Sequence, residues 1–278
     1  MKKLGLIAGG GELPASLARH CRAVGRPLYV LRLAGFAGPD LAAFDGLDIG
    51  LAELGKGLTA LREAGCQAVC MAGNVARPDF RDLRPDLRGL AALPGAVKAA
   101  RRGDDALLTF LLGEFEKEGF EIEGADRVMA ALTLGPGPLG RNGVAPSALA
   151  DARRALEVAR AIGAMDVGQG AVCCDGLILA AEAQEGTDAM LRRVAELPLA
   201  IRGTPAAPRG VLAKACKPQQ DSRVDLPTIG PATLRGVIDA GLLGVVGEAG
   251  RLLVLDRDAV IALADEAGLF IVGVVPGA

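Results

Sequence analysis

The sequence predicts an α/β protein in two parts: an N-terminal parallel-sheet domain and a C-terminal mixed α/β domain. Three observations carry this. Through the first half, short apolar runs of strand length alternate with amphipathic helical patterns, the signature of a parallel sheet with crossover helices. The stretch LGPGPLGRNGVAP at Leu134–Pro146 then interrupts the pattern with four Gly and three Pro, the make-up of a hinge or linker. Beyond it, Asp175-Gly176 lies between two apolar runs, which signals an antiparallel hairpin. The expected bounds are 1–134 for the first domain, 135–146 for the linker and 147–278 for the second.

Composition sets the limits. The chain has 278 residues, of which 51% are apolar and only 3% aromatic, with no Trp. A sizeable core is therefore built from Leu, Val, Ile and Ala. A net charge of -2 argues against a general nucleic-acid binder, which needs a basic surplus. Six cysteines (Cys21, Cys66, Cys70, Cys173, Cys174, Cys216) form no CxxC pair and read as buried thiols in a reducing compartment. The N-terminus MKKLGLIAGGGELP is too glycine-rich for a secretory segment. No run approaches the roughly 20 apolar residues of a membrane span. A cytoplasmic protein is expected, with room for peripheral contact at a bilayer.

Taken in order, Leu4–Ala8 is a buried strand, Gly9–Gly11 a glycine turn and Glu12–Val24 a helix with Pro14 in its first turn. Strand, glycine turn and helix together offer backbone N–H groups to an anion. The dinucleotide fingerprint fits poorly: Pro14 stands where the third glycine belongs, and the next strand, Leu28–Leu33, ends without a ribose-binding acid. Anion or nucleotide contact, a plain tight turn and NAD binding all remain open here. Asp48–Gly50 and Gln67–Ala72 read as further strands, Lys56–Ala64 as a helix, and Gly73-Asn74 as a turn on the same sheet edge as Gly10, Gly11 and Glu12. Arg77–Arg88 reads as a polar connection. Gly103-Asp104-Asp105 precedes a helix over Ala106–Lys117. Asp104 suits its N-cap and Asp105 its dipole; the alternative is that both face a ligand. A short strand or turn lies within Gly119–Met129.

In the second half, Ser147 is placed to cap a helix reaching Ile162, and Ala171–Cys174 pairs with Leu177–Ala181 across Asp175-Gly176. Glu182, Glu185 and Asp188 form an acidic group around a helix start, with Thr187 as its cap and Arg192 and Arg193 as neutralising cations. Ligand contact and a solvated face are both open for this group. Val211–Cys216, Leu243–Val246, Leu252–Leu255 and Phe270–Val275 read as strands, and Pro231–Ala240 and Asp258–Ala267 as helices.

The densest chemistry lies in LAKACKPQQDSRVDLPTIGPAT, Leu212–Thr233. If Asp221–Asp225 is extended, Asp221, Arg223 and Asp225 share one face, with Lys214 and Lys217 just upstream. Carboxylates this close need a counter-charge or a metal. Lys and Arg hold phosphate oxygens and carboxylates hold Mg2+, so the array suits a polyanion carried with a divalent cation. The competing reading is a solvated loop whose charges pair with one another.

KACKPQQDSRVDLPTIGPAT, together with GLIAGGGELP at Gly5–Pro14, RRGDDALL at Arg101–Leu108 and EAQEGTDAML at Glu182–Leu191, resembles the LpxI type of UDP-2,3-diacylglucosamine pyrophosphatase over essentially the whole chain. The resemblance implies a Mg2+-dependent enzyme of lipid A synthesis that hydrolyses UDP-2,3-diacylglucosamine to 2,3-diacylglucosamine 1-phosphate (lipid X) and UMP. Water is then expected to attack the sugar-side phosphorus. It implies a Rossmann-like N-terminal domain and a distinct C-terminal domain with the ligand between them, and Asp225 as the essential acid. Transient membrane-surface contact follows from such a substrate, and a homodimer is the expected assembly.

On this reading Asp225, Lys214, Lys217 and Arg223 are the catalytic candidates, and Asp225 and Asp221 the metal candidates. Gly10, Gly11, Glu12, Gly73, Asn74, Gly103, Asp104, Asp105, Glu182, Thr187 and Asp188 are candidates for substrate contact. The single histidine, His20, falls inside the first helix, so histidine-based two-metal and Ser-His-Asp hydrolysis are excluded. Two other classes remain as alternatives: a nucleotide- or NAD-binding oxidoreductase, and a non-catalytic lipid-head-group binder.

Overall fold

The computed structural model describes residues 1–76, 79–217, 223 and 226–275. The chain divides into two compact units, Met1–Ala131 and Leu132–Ala278.

The first unit runs β1 (Leu4–Ala8), α1 (Leu13–Ala23), β2 (Leu28–Leu33), β3 (Gly46–Ile49), α2 (Leu54–Glu63), β4 (Ala68–Ala72), α3 (Leu87–Ala100), α4 (Asp104–Lys117), β5 (Glu121–Ile122) and α5 (Ala125–Val128). Its five strands are all parallel in the order β3-β2-β1-β4-β5. That is the Rossmann strand order 3-2-1-4-5, short of its sixth strand. Every residue of β1 is buried, as in a central parallel strand covered on both faces. Against it α1 buries Pro14, Ala15, Leu17, Ala18 and Cys21, and α2 buries Leu58, Ala60 and Leu61. His20 lies half-buried in α1.

Two helical expectations are corrected here. The helix α3 was not anticipated: the connection expected to run to Arg88 gives way at Leu87, because Asp86 caps the helix by accepting the Gly89 N–H at 2.7 Å. The same carboxylate accepts the Lys56 N–H at 2.8 Å in the first turn of α2, so one side chain caps two helices. Asp104 is not a cap. Gly103 takes that position with φ 133°, and α4 starts at Asp104 itself.

The second unit runs β6 (Gly137–Pro138), α6 (Leu149–Ala164), β7 (Gly170–Cys174), β8 (Leu177–Ala181), α7 (Gly186–Ala195), β9 (Val211–Lys214), β10 (Thr228–Ile229), α8 (Pro231–Asp239), β11 (Gly244–Glu248), β12 (Leu253–Val254), α9 (Arg257–Ala267) and β13 (Phe270–Val274). Six strands form a mixed sheet in the order β6-β13-β11-β9-β7-β8, with β9, β11 and β13 parallel and the flanking strands antiparallel. Strand alternation builds two cores. Ala171, Cys173, Val211, Ala213 and Val246 face Ala152, Ala155 and Ala159 of α6. On the other side, Val172, Leu212 and Val245 meet Met190, Leu191 and Val194 of α7 with residues of α8 and α9.

The Asp175-Gly176 turn joins β7 to β8 with φ 48° and 78°, the conformation an Asp-Gly pair favours in a two-residue hairpin. The Gly/Pro stretch expected as a linker packs within this unit instead. Leu134 and Leu139 are in its core and Gly137–Pro138 pairs with β13. Ser147 does not cap α6; a short 3-10 turn at Pro146–Ala148 leads into it. All six cysteines are free and buried, and burial pushes the Cys70 thiol up to about 12. Among the described residues, no helix is long and apolar enough to cross a membrane.

Candidate functional site

Parallel sheets present ligands past the carboxyl ends of their strands, and each unit has such an edge. In the first unit, the chain leaving β1 meets the chain leaving β4. The Gly10 N–H donates to the Asn74 carbonyl at 2.8 Å and the Asn74 N–H to the Gly10 carbonyl at 2.9 Å. Packing explains the glycines. A Cβ on Gly9 would sit 2.8 Å from the Asn74 oxygen, and one on Gly73, where φ is 93°, 2.5 Å from the Gly10 oxygen. Gly11 has φ 86° beneath the Asn74 amide. Glu12 is exposed at the start of α1. Gly10, Gly11, Glu12, Gly73 and Asn74 are thus brought together on one edge. Gly103, Asp104 and Asp105 stand together at the start of α4. The Arg32 guanidinium is held by Asp48 and the Phe44 carbonyl, so it does not offer the free cation a phosphate-bearing cofactor would need at this strand end.

In the second unit the edge is charged and dry. Lys214, the last residue of β9, is only 3% exposed. Its Nζ donates to Thr187 Oγ1 at 2.5 Å and to the Thr228 carbonyl at 3.4 Å. Thr187 Oγ1 donates in turn to Glu182 Oε1 at 2.8 Å. Glu182 is 6% exposed, and its Oε2 lies 3.9 Å from Lys214 Nζ without a hydrogen-bond partner. A buried charge persists only when a partner compensates it, and here one hydroxyl links ammonium to carboxylate. Small residues let the chain approach Glu182 closely. A Cβ on Gly170 would sit 2.5 Å from Glu182 Oε2, and one on Gly168 2.1 Å from the Glu182 carbonyl.

Around this group, Lys217 Nζ meets Asp166 Oδ1 at 2.7 Å. Glu248, closing β11, accepts from Arg160 Nε at 2.8 Å and from the Cys216 N–H at 3.3 Å. Gln169, one residue before β7, has a buried Oε1 without a hydrogen-bond partner. Its carbonyl accepts the Ala215 N–H at 2.9 Å.

Lys214, Glu182 and Thr187 are therefore brought together, with Lys217 three residues beyond Lys214. Thr187 is not the helix cap, because α7 already begins at Gly186; its hydroxyl serves the buried pair instead. Asp188 is exposed on the first turn of α7. Glu185 turns to Arg193 at 2.6 Å, and that guanidinium holds its carboxyl below the usual range. Arg223 is described, half-buried in a turn; Asp221 and Asp225 lie outside the described residues. Among the described residues, no group of three or more His, Cys, Asp or Glu converges as a metal centre.

Asp166, Gln169, Arg160 and Glu248 were missed from sequence. Glu248 carried a usable signal, an acid ending the apolar run GVVGE beside the VLAK strand. The others lie on helix or turn positions that only the fold brings to this edge.

Comparison with known proteins agrees on both halves. Residues 3–132 match the model of the LpxI N-terminal domain and residues 135–272 that of the LpxI C-terminal domain. A protein of Caulobacter vibrioides named UDP-2,3-diacylglucosamine pyrophosphatase LpxI is 62% identical over 276 residues, covering 99% of each chain. With both domain models matched in succession and the likeness running from end to end, the chain belongs to the LpxI family.

Proposed function

We infer that this protein hydrolyses the diphosphate of UDP-2,3-diacylglucosamine to UMP and 2,3-diacylglucosamine 1-phosphate, as a step of lipid A biosynthesis. Family membership with a 62% identical relative of that name supports the activity. The observation in the fold that carries it is the buried Lys214–Thr187–Glu182 chain at the carboxyl end of β9. A diphosphate brings charge that a dry, preformed cation can hold without reorganisation.

In this mechanism the water oxygen bonds to the sugar-side phosphorus while the bond from that phosphorus to the bridging oxygen breaks. UMP departs with the bridging oxygen, and the water oxygen stays in the sugar phosphate. Lys214, fixed by Thr187 and Glu182, holds a phosphate oxygen in place. Lys217 and Arg223 add cationic contacts, Arg223 with a planar fork suited to two oxygens. Asp225 orients the water, whose proton passes to solvent as the bond to phosphorus forms.

Mg2+ is part of the proposal. The buried Glu182 Oε2 and Gln169 Oε1, both without hydrogen-bond partners, are oxygen donors of the kind a hard cation accepts. Asp225 and Asp221 are the proposed carboxylate ligands. When bound, the ion supplies charge neutralisation for the diphosphate. Participation of the Gly10–Glu12 edge in holding the head group, cytoplasmic location with transient membrane contact, and a homodimer are further parts of the same reading.

The test is UMP release from UDP-2,3-diacylglucosamine by the purified protein with Mg2+. Release is expected, with loss on adding EDTA and in Asp225→Ala at unchanged melting temperature. Full activity of Asp225→Ala overturns the site assignment. NAD(P) turnover in place of UMP release turns the reading to an oxidoreductase, and binding without product turns it to a non-catalytic binder.

A further inference from the structure

A surface helix ordinarily turns its large apolar side chains inward and its polar ones to water. The helix α3 does the reverse. Its inward contacts are made by small residues: Gly89, where a Cβ would strike the Ala52 carbonyl at 1.9 Å, and Gly95, where one would strike the Phe110 ring of α4 at 2.6 Å. Gly89 and Ala100 are its buried residues. Leu87 is 89% exposed and Leu90 57%, and Ala91 and Pro94 are exposed beside them. Positions 87, 90, 91 and 94 share one helical face. One turn further along that face comes Lys98, and Arg101 and Arg102 follow in the turn that ends α3, all exposed.

The whole stretch 87–102 contains four basic residues and no acidic one. The fourth, Arg88, turns inward to Glu114 at 3.0 Å. The nearest acid before the helix, Asp86, is taken up by the amides it caps. After it, Asp104 and Asp105 are half-buried at the start of α4. Over roughly 20 Å of helix, the exposed face therefore passes from hydrocarbon to exposed cations.

We propose that the α3 face formed by Leu87, Leu90, Ala91 and Pro94 with Lys98, Arg101 and Arg102 docks the protein on an anionic bilayer surface. Hydrocarbon in contact with the acyl boundary and cations against lipid phosphates is the division of labour of an interfacial helix. The charge decides between occupants. A second copy of the chain presenting the same face would set these cations against each other, and uncharged acyl chains alone would leave them unanswered. The biological sense of this docking rests on the proposed diacylated substrate, which resides in a membrane. The docking itself does not need turnover to be measured.

The experiment is co-sedimentation of the full chain, without substrate, with vesicles of phosphatidylcholine and of phosphatidylcholine mixed with phosphatidylglycerol. Binding is expected to the anionic vesicles and to weaken with salt. Leu87→Glu/Leu90→Glu is expected to lower partitioning about tenfold or more. Arg101→Glu/Arg102→Glu is expected to lower it at least about fivefold per side chain on anionic vesicles only. Both variants should keep the melting temperature, since they alter exposed positions, and should release UMP from a short-chain, water-soluble substrate analogue at the parental rate. Equal partitioning of parent and both variants overturns the proposal. So does a raised KM for the short-chain analogue in Leu87→Glu/Leu90→Glu, which would make the face an acyl-chain site. A shift of that variant from dimer to monomer at unchanged partitioning overturns it too, by making the face a subunit interface. Loss of UMP release with partitioning intact would count against the proposed activity alone.

Discussion

The two ends of the β7–β8 hairpin each hold a buried carboxylate, and the two differ in how completely they are satisfied. At the turn end, Asp151 is 5% exposed and fully employed: Asp175 N–H donates at 2.8 Å, Gly176 N–H at 2.7 Å and Cys173 Sγ at 3.3 Å. At the open end, Glu182 is equally buried, yet one of its oxygens has no hydrogen-bond partner and a buried ammonium stands 3.9 Å away. A satisfied buried acid secures a fold; an incompletely satisfied one beside a buried cation is kept at a cost in stability, the pattern on which the proposed site rests. At the glycine edge of the first unit, Gly10 and Asn74 spend their N–H and carbonyl groups on each other in the same way.

The sharpest way to break this contrast is Lys214→Met, which keeps most of the stem and removes the charge. The expected loss is about 10²–10³-fold in kcat, the scale of removing one preorganised donor from a developing anion. A steady-state UMP-release assay with fold checked by circular dichroism decides it. Asp151→Ala should do the converse. Three donors lose their acceptor, so unfolding free energy is expected to fall by about 3 kcal/mol, while turnover per folded molecule stays at the parental level; urea melts combined with active-fraction kinetics test both halves. Gly9→Ala sharpens the reading of the first edge. Its methyl group would press on the Asn74 carbonyl, and a loss of about 2 kcal/mol is expected from overpacking, measured as a lowered urea midpoint.

The smallest effect concerns Asp86. Burial alone would raise its pKa, but amides of Gly89, Lys56, Gly55 and Arg88 outweigh this and hold it below the usual carboxylate range. A depressed folded pKa contributes stability above the unfolded value near 3.9 and loses it as pH falls through the folded value. Asp86→Ala should therefore cost about 1 kcal/mol at neutral pH. The gap in melting temperature to the parent should be constant above pH ~5 and shrink below pH ~4; a gap independent of pH contradicts the double-cap assignment.

Much of this was legible in the sequence, for identifiable reasons. β1 and β2 were readable to the residue because short, mostly apolar runs beside Gly9 and Pro27 leave few alternatives. The hairpin followed from Asp175-Gly176. The helix α3 was missed because it defies the inward-apolar pattern: small residues pack and leucines face water. The Gly/Pro stretch at 135–146 read as a linker because composition does not reveal that Leu134 and Leu139 find a core. At the charged edge, Lys214, Glu182 and Thr187 were each singled out. Their arrangement was not, because Glu182 and Lys214 are 32 residues apart and meet only through the β7–β9 pairing. The expected role of Thr187 as a cap concealed its part in linking them.

The central claim is that the diphosphate is held at the Lys214 edge of the second unit. Equilibrium binding of UDP-2,3-diacylglucosamine to Asp225→Ala, compared with Asp225→Ala/Lys214→Met, tests this most directly because neither protein should turn the ligand over. Loss of an ion-paired contact to phosphate predicts at least about tenfold weaker binding in the double variant. Equal affinity of the two proteins would place the diphosphate elsewhere.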